Sequence, residues 1–231
     1  MQMIEHPDAD SLSTTVARTL AQICAEALEA RDAAALTLAG GSTPIPVYRR
    51  LAEIDLDWSH IVLLPGDERW VDHDDRACNL RAMREAFAGT TAEFRALTPE
   101  HPEGPPDTAV AEATLADLHG PFDACVLGMG ADGHFASLFP GADGLADALD
   151  PDCKAPAVVV HPSPMPADAP FARISLTLSR IMASRRLLLL IRGDEKRGVL
   201  HKARNSADPQ RYPVAALLRH AGDALEIHWS P

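Results

Sequence analysis

Short apolar runs alternate along this chain with stretches of helical periodicity, and that alternation leaves few folds open. Residues 35–39, 60–64, 124–127, 157–160, 173–178, 186–191 and 224–229 are each too short for a buried helix, and several are apolar throughout. Continuous apolar runs of that length suit strands covered on both faces, as in a parallel sheet flanked by helices. Between the runs, Leu12, Val16, Leu20, Ile23 and Ala27 recur at three- and four-residue steps behind Asp8, Asp10 and Ser11, which predicts a capped helix ending near Arg31. Further helices are expected after Pro44 or Pro46, from Asn79 as cap to Phe87, over 107–119, over 179–184, from Asp194 and from Pro213. Strand–helix alternation predicts an α/β fold: an open, mostly parallel Rossmann-like sheet with helices on both faces, with residues 1–231 forming one domain. Residues 224–229 are expected to close the sheet as an edge strand. Right-handed crossovers place the carboxyl ends of the strands on one side, where open α/β sheets bind ligands.

Charge narrows the partners. Lys and Arg total 21 against 33 Asp and Glu, a formal charge of −12. Such a surface repels nucleic acid and anionic membranes, so an anionic small substrate needs a local cluster of basic residues. The cysteines Cys24, Cys78, Cys125 and Cys153 show no Cys-x-x-Cys spacing, and His73 with its neighbouring carboxylates matches no metal-ligand pattern. No signal peptide or long apolar span is visible. The expectation is a cytoplasmic monomer with no metal or cofactor.

The turns after the strands carry the chemistry. Residues 122–127 run into Gly128-Met-Gly-Ala-Asp-Gly-His134, a glycine-rich turn holding Asp132 and His134 at a strand's carboxyl end. A carboxylate beside an imidazole there is a candidate acid/base pair; a plain turn with a solvated His134 is the alternative. The Gly-x-Gly-x-x-Gly spacing alone is a weak dinucleotide signal, and Asp150 and Asp152 lie in a Pro-rich loop rather than at the next strand's end. Residues 135–139 suit a short helix stopped by Pro140 and Gly141. Upstream, Gly40-Gly-Ser-Thr-Pro44 follows a strand and opens a helix, which suits phosphate held by free backbone N–H groups; a turn capped by Ser42 or Thr43 fits equally. It is not a P-loop, because the Gly-Lys-Ser/Thr ending is absent. Asp67, Glu68 and Arg69 stand together at another strand end. Arg69 suits a phosphate or an oxyanion, or an ion pair within the loop. Arg173 begins a strand and points toward the same crevice. Lys196 sits in a helix's first turn, against the dipole unless an anion is near; snorkelling to solvent is the alternative.

Taken together, Gly40-Gly-Ser-Thr-Pro44, Gly66-Asp-Glu-Arg-Trp-Val71 with Asn79, Gly128 to His134 with Ser137-Leu-Phe-Pro-Gly141, Arg173-Ile-Ser-Leu-Thr and Gly193-Asp-Glu-Lys196 resemble the glucosamine-6-phosphate isomerase/6-phosphogluconolactonase family. The resemblance runs nearly end to end and implies a phosphosugar isomerase/CoA-transferase-like fold. It implies hydrolysis of 6-phospho-D-glucono-1,5-lactone to 6-phosphogluconate, in the oxidative pentose phosphate pathway, without a metal. His134 falls on the family's catalytic histidine, with Asp132 and Arg69 beside it. Substrate- and phosphate-binding positions fall on Gly40, Gly41, Ser42, Thr43, Asp67, Arg173 and Lys196. The deaminase branch carries a glutamate where this chain has Leu138-Phe-Pro-Gly141, which weighs against ring opening and amine release. Ala77-Cys78 departs from the polar pair usual before Asn79. A deaminase/isomerase and a non-catalytic phosphosugar-binding protein are the competing readings.

Overall fold

The apolar runs become strands where helices can cover them. The computed structural model describes every residue except Met1, His119, Asp168 and Ala207. Its strands are β1 (Gln2–Glu5), β2 (Ala34–Leu38), β3 (Ile61–Pro65), β4 (Asp67–Arg69), β5 (Glu93–Phe94), β6 (Ala124–Gly128), β7 (Ala157–Val160), β8 (Arg173–Leu176), β9 (Leu187–Arg192) and β10 (Leu225–Ser230). Its α-helices are α1 (Ala9–Arg31), α2 (Ile45–Ala52), α3 (Asn79–Ala86), α4 (Ala109–Asp117), α5 (Leu145–Ala148), α6 (Leu178–Met182), α7 (Asp194–Ser206) and α8 (Val214–Ala221).

The order β1-β10-β9-β6-β2-β3-β5 forms a seven-stranded sheet in which every pairing is parallel. Successive side chains of a strand point to opposite faces, so each strand feeds two cores. Leu36, Leu63, Val126 and Leu190 pack with Leu20 of α1, Tyr48 of α2 and Met83 of α3. Cys125, Leu127, Leu189 and Ile227 pack on the other face with Leu115 of α4, Leu200 of α7 and Leu217 of α8. The expected helix–sheet–helix layering follows from that alternation.

Several expectations are corrected. The strand expected at the edge is internal, because β1 pairs with β10, Met3 opposite Ile227. Gln2–Glu5 is mostly exposed and only two of its four residues, Met3 and Ile4, are apolar, so it joins the sheet through its backbone and writes no buried apolar run. The charged run at 67–69 is a strand, and together with β8 and β7 it builds a separate three-stranded antiparallel sheet. Gly66 links the two sheets: its N–H donates to Leu38 O (2.9 Å) and its carbonyl accepts from Leu176 N (3.0 Å). Residues 135–139 are not helical. Ala136 takes a left-handed φ of 47°, and the Ser137 N–H donates across to Ser175 Oγ (3.2 Å). Asn79 is the first residue of α3 rather than its cap; the Cys78 sulfur caps the helix, and the buried Glu68 carboxylate takes the N–H groups of Asn79 and Leu80 (2.8 Å each).

The β1–β10 junction buries an imidazole pair. His228 is 1 % exposed. Its Nδ1 lies 3.0 Å from His6 Nε2, and its Nε2 faces Glu226, which is paired to Arg186. Burial, with the adjacent His6, pulls its pKa down to about 4, and burial lowers that of His6 as well. A base whose folded pKa lies below its unfolded value stabilises the fold fully above the unfolded value and progressively less as pH falls through the folded one. His228 should therefore cost about 2 kcal/mol of stability by pH 5 relative to pH 7. Chemical unfolding of the wild type and His228→Gln at both pH values checks this. The stability gap between them should shrink by that amount at the lower pH, and parallel profiles would refute it.

Candidate active site

The first wall grows from β2. After Leu38 the chain turns through Gly40 to Pro44, with Gly41 at φ +100°, a left-handed conformation that glycine adopts without strain. α2 starts directly behind, and Ser42 and Thr43 do not cap it: its N-terminus carries no side-chain cap hydrogen bond. Pro44 and Pro46 carry no N–H, so the amides offered to an outside acceptor are those of Gly41, Ser42 and Thr43 in the turn ahead of the helix, an arrangement that favours an anion.

The second wall is the antiparallel sheet. Asp67 pairs with Ser175 and Arg69 with Arg173, so two guanidinium-bearing residues stand directly opposite each other on β4 and β8. Like charges in that register repel unless an anion or a carboxylate lies between them. Asp67 is buried, and its carboxylate accepts from Ser137 Oγ (2.5 Å). Arg69 Nη1 donates to Ala77 O (2.6 Å) and Asn79 Oδ1 (2.9 Å). Arg173, 4 % exposed, donates to Ala169 O (3.0 Å) and lies 5.2 Å from the Phe139 ring centre. Glu68 takes no part: burial pushes its carboxyl pKa up against the hydrogen bonds it receives from the start of α3, and it serves that helix rather than the cavity.

The third wall is the turn after β6. Gly130 N–H donates to His134 O (2.9 Å) and Gly133 N–H to Gly130 O (3.1 Å), which closes the turn. Val214 N–H donates to Gly133 O (2.9 Å), so the start of α8 braces it. Asp132 Oδ1 lies 2.6 Å from His134 Nδ1 and 3.1 Å from the His134 backbone N. Burial opposes ionisation of Asp132, but the hydrogen bonds and charge of His134 prevail and lower its pKa. An ionised carboxylate only accepts, so the contact places a proton on Nδ1, and in the neutral form of the ring Nε2 is the acceptor. The ring packs on Phe139 with centres 4.0 Å apart.

These walls meet. A cavity of about 340 Å³ at the carboxyl ends of the parallel strands is lined by residues 40–44, Asp67, Arg69, His134, Arg173 and Lys196. Lys196 reaches it from the first turn of α7; burial lowers its pKa, partly offset by Glu195 and Asp132. Against the chain's net −12, the cavity sets three cationic side chains beside one carboxylate. Asp132 stands apart from this group. It borders an adjoining cavity of about 860 Å³ that shares Arg69, His134 and Arg173 and runs under the Pro-rich segment at 163–167. In the sequence Asn79 reads as a helix cap and, with Ser137 and Phe139, as part of the blocks that resemble the family, with no contact assigned to any of the three; their contacts here join residues far apart in the chain. Among the described residues, no group of three or more His, Cys, Asp and Glu side chains is placed to hold a metal ion.

Comparison with known proteins agrees with this architecture. The family described as glucosamine-6-phosphate isomerases/6-phosphogluconolactonase matches residues 7–229. The 6-phosphogluconolactonase of Rhizobium meliloti is 35 % identical over 234 residues, covering 100 % of this chain and 98 % of that protein. That of Pseudomonas aeruginosa is 37 % identical over 210 residues, covering 89 % and 84 %. The crystal structure of a 6-phosphogluconolactonase from Shewanella baltica superposes with a TM-score of 0.89 at 32 % identity, over 100 % of this chain and 98 % of that one.

Proposed function

This chain belongs to the glucosamine-6-phosphate isomerase/6-phosphogluconolactonase family, and from that membership we propose that it hydrolyses 6-phospho-D-glucono-1,5-lactone to 6-phosphogluconate, the second step of the oxidative pentose phosphate pathway. The observation that carries the reading is the single cavity shared by the Gly40–Pro44 turn and His134. The turn's free amides, with Arg173 and Lys196, suit the phosphate. The imidazole, held at Nδ1 by Asp132, suits the lactone carbonyl.

Neutral His134 takes a proton from water at Nε2 as the water oxygen attacks C1, a role worth typically about 10²–10⁴-fold. The carbonyl electrons move onto oxygen, and the oxyanion is met by Arg69 or by the N–H groups of the glycine turn. The bond from C1 to the ring oxygen then breaks, and that oxygen takes the proton back from His134. Asp132 holds the ring in the tautomer this needs. No covalent intermediate is required, and no serine stands in a nucleophile elbow. Residues 138–141 read Leu-Phe-Pro-Gly, without the glutamate of the deaminase branch, which weighs against the deaminase alternative.

The deciding experiment follows initial rates with freshly generated lactone, corrected for spontaneous hydrolysis, beside ammonia release from glucosamine 6-phosphate. Lactone turnover far above ammonia release is expected. Comparable ammonia release would install the deaminase reading, and tight binding of 6-phosphogluconate with no turnover would install a sensor.

A further inference from the structure

We propose that Asn79 is a positioning residue that holds Arg69, Asp67 and the Gly40 turn as one unit, and that position 40 is glycine because the Asn79 amide fills the space of its side chain. The idea rests on the lactonase reading for what the unit does, and on geometry for its existence. Asn79 is 3 % exposed. Its Oδ1 accepts from Arg69 Nη1 (2.9 Å) and its Nδ2 donates to Asp67 O (2.7 Å). Guanidinium only donates and a carbonyl only accepts, so the amide has a single orientation that satisfies both. It also lines the cavity beside the first glycine turn.

The link to that turn is steric. A methyl group at Gly40 would sit 2.0 Å from Asn79 Oδ1, 2.6 Å from Cγ and 3.0 Å from Nδ2, and these are its three nearest atoms. Gly40 is not among the positive-φ glycines, so backbone conformation does not require glycine there. What requires it is Asn79. The main chain of Asn79 is anchored separately, its N–H donating to Glu68 Oε1 (2.8 Å) within the start of α3. Removing the side-chain amide therefore spares the helix cap while leaving Arg69 Nη1 with Ala77 O in place of two acceptors. Any shift of the amide is passed to Arg69 on one side and to the phosphate turn on the other.

Two double-mutant cycles test this, with unfolding curves as a folding control. Asn79→Ala should lower kcat/KM for the lactone about 10- to 100-fold, and its cost should shrink by about 3-fold or more once Arg69→Ala is present, because the part of the loss carried through Arg69 is already gone. Gly40→Ala should lower the melting temperature by roughly 3–10 °C in the wild type and have little effect in the Asn79→Ala background. Equal losses from Asn79→Ala in both Arg69 backgrounds would overturn its role as a positioning residue. Equal destabilisation by Gly40→Ala with and without the amide would overturn the steric link. Should the wild type fail to hydrolyse the lactone, the proposed reaction falls alone: the Gly40 cycle reads only melting temperature and needs no substrate.

Discussion

His134→Ala should reduce kcat for lactone hydrolysis by about 10²–10⁴-fold while the dissociation constant for 6-phosphogluconate stays within a few-fold of wild type. The reasoning is local. Asp132 holds Nδ1 at 2.6 Å, which leaves Nε2 as the one imidazole nitrogen free to accept a proton. The phosphate contacts assigned to the Gly41–Thr43 amides, Arg173 and Lys196 do not involve the ring, so ground-state binding should survive its loss. Alanine also removes the stacking against Phe139, but His134 is partly exposed at the cavity mouth and its loss should not unfold the protein. Steady-state kinetics with fresh lactone, together with calorimetric titration of the product, separate the two quantities. A kcat near wild type would remove His134 from the chemistry. A binding loss as large as the rate loss would make it a ligand-holding residue instead.

Gly130→Ala should cost about 10²-fold in kcat through the same pair of side chains. A Cβ at position 130 would lie 2.3 Å from both Cε1 and Nδ1 of His134 and 2.6 Å from Asp132 Oδ1. Heavy atoms do not approach so closely, so the imidazole and carboxylate must move. Gly130 is not in the positive-φ region, so the alanine backbone itself is unstrained. The displaced groups lie at the partly exposed mouth of the cavity and can swing outward, so the melting temperature should fall far less than activity. Kinetics and thermal unfolding on the same preparation test this. Activity close to wild type would mean that the Asp132–His134 geometry is not the one in which water is attacked.

How far the sequence reached depended on whether burial wrote a pattern. The strands at 35–39, 60–64, 124–127 and 186–191 were legible within a residue or so, because a parallel strand covered on both faces has to be apolar throughout. β1 was invisible: Gln2–Glu5 contributes backbone pairing and exposed side chains. β4 read as a loop because its three residues are all charged, and its partnership with β8 is a contact between distant parts of the chain. That pairing is what sets Arg69 opposite Arg173, so the convergence of the two arginines was expected while its cause was not. Glu68 looked like a neighbour of the site and instead turns inward to the start of α3. Residues 135–139 have helical composition, but the left-handed Ala136 and the Ser137–Asp67 hydrogen bond belong to tertiary structure. Asp132 and His134 could be paired from their shared turn, and the carboxylate stands 2.6 Å from Nδ1.

The most direct measurement is a crystal structure with 6-phosphogluconate bound. The phosphate should be held by the backbone amides of residues 41–43 and by Lys196, with C1 of the product within about 3.5 Å of His134 Nε2. A product seated with its phosphate in the adjoining cavity beneath residues 163–167 and its C1 beyond reach of the His134 ring would contradict the account.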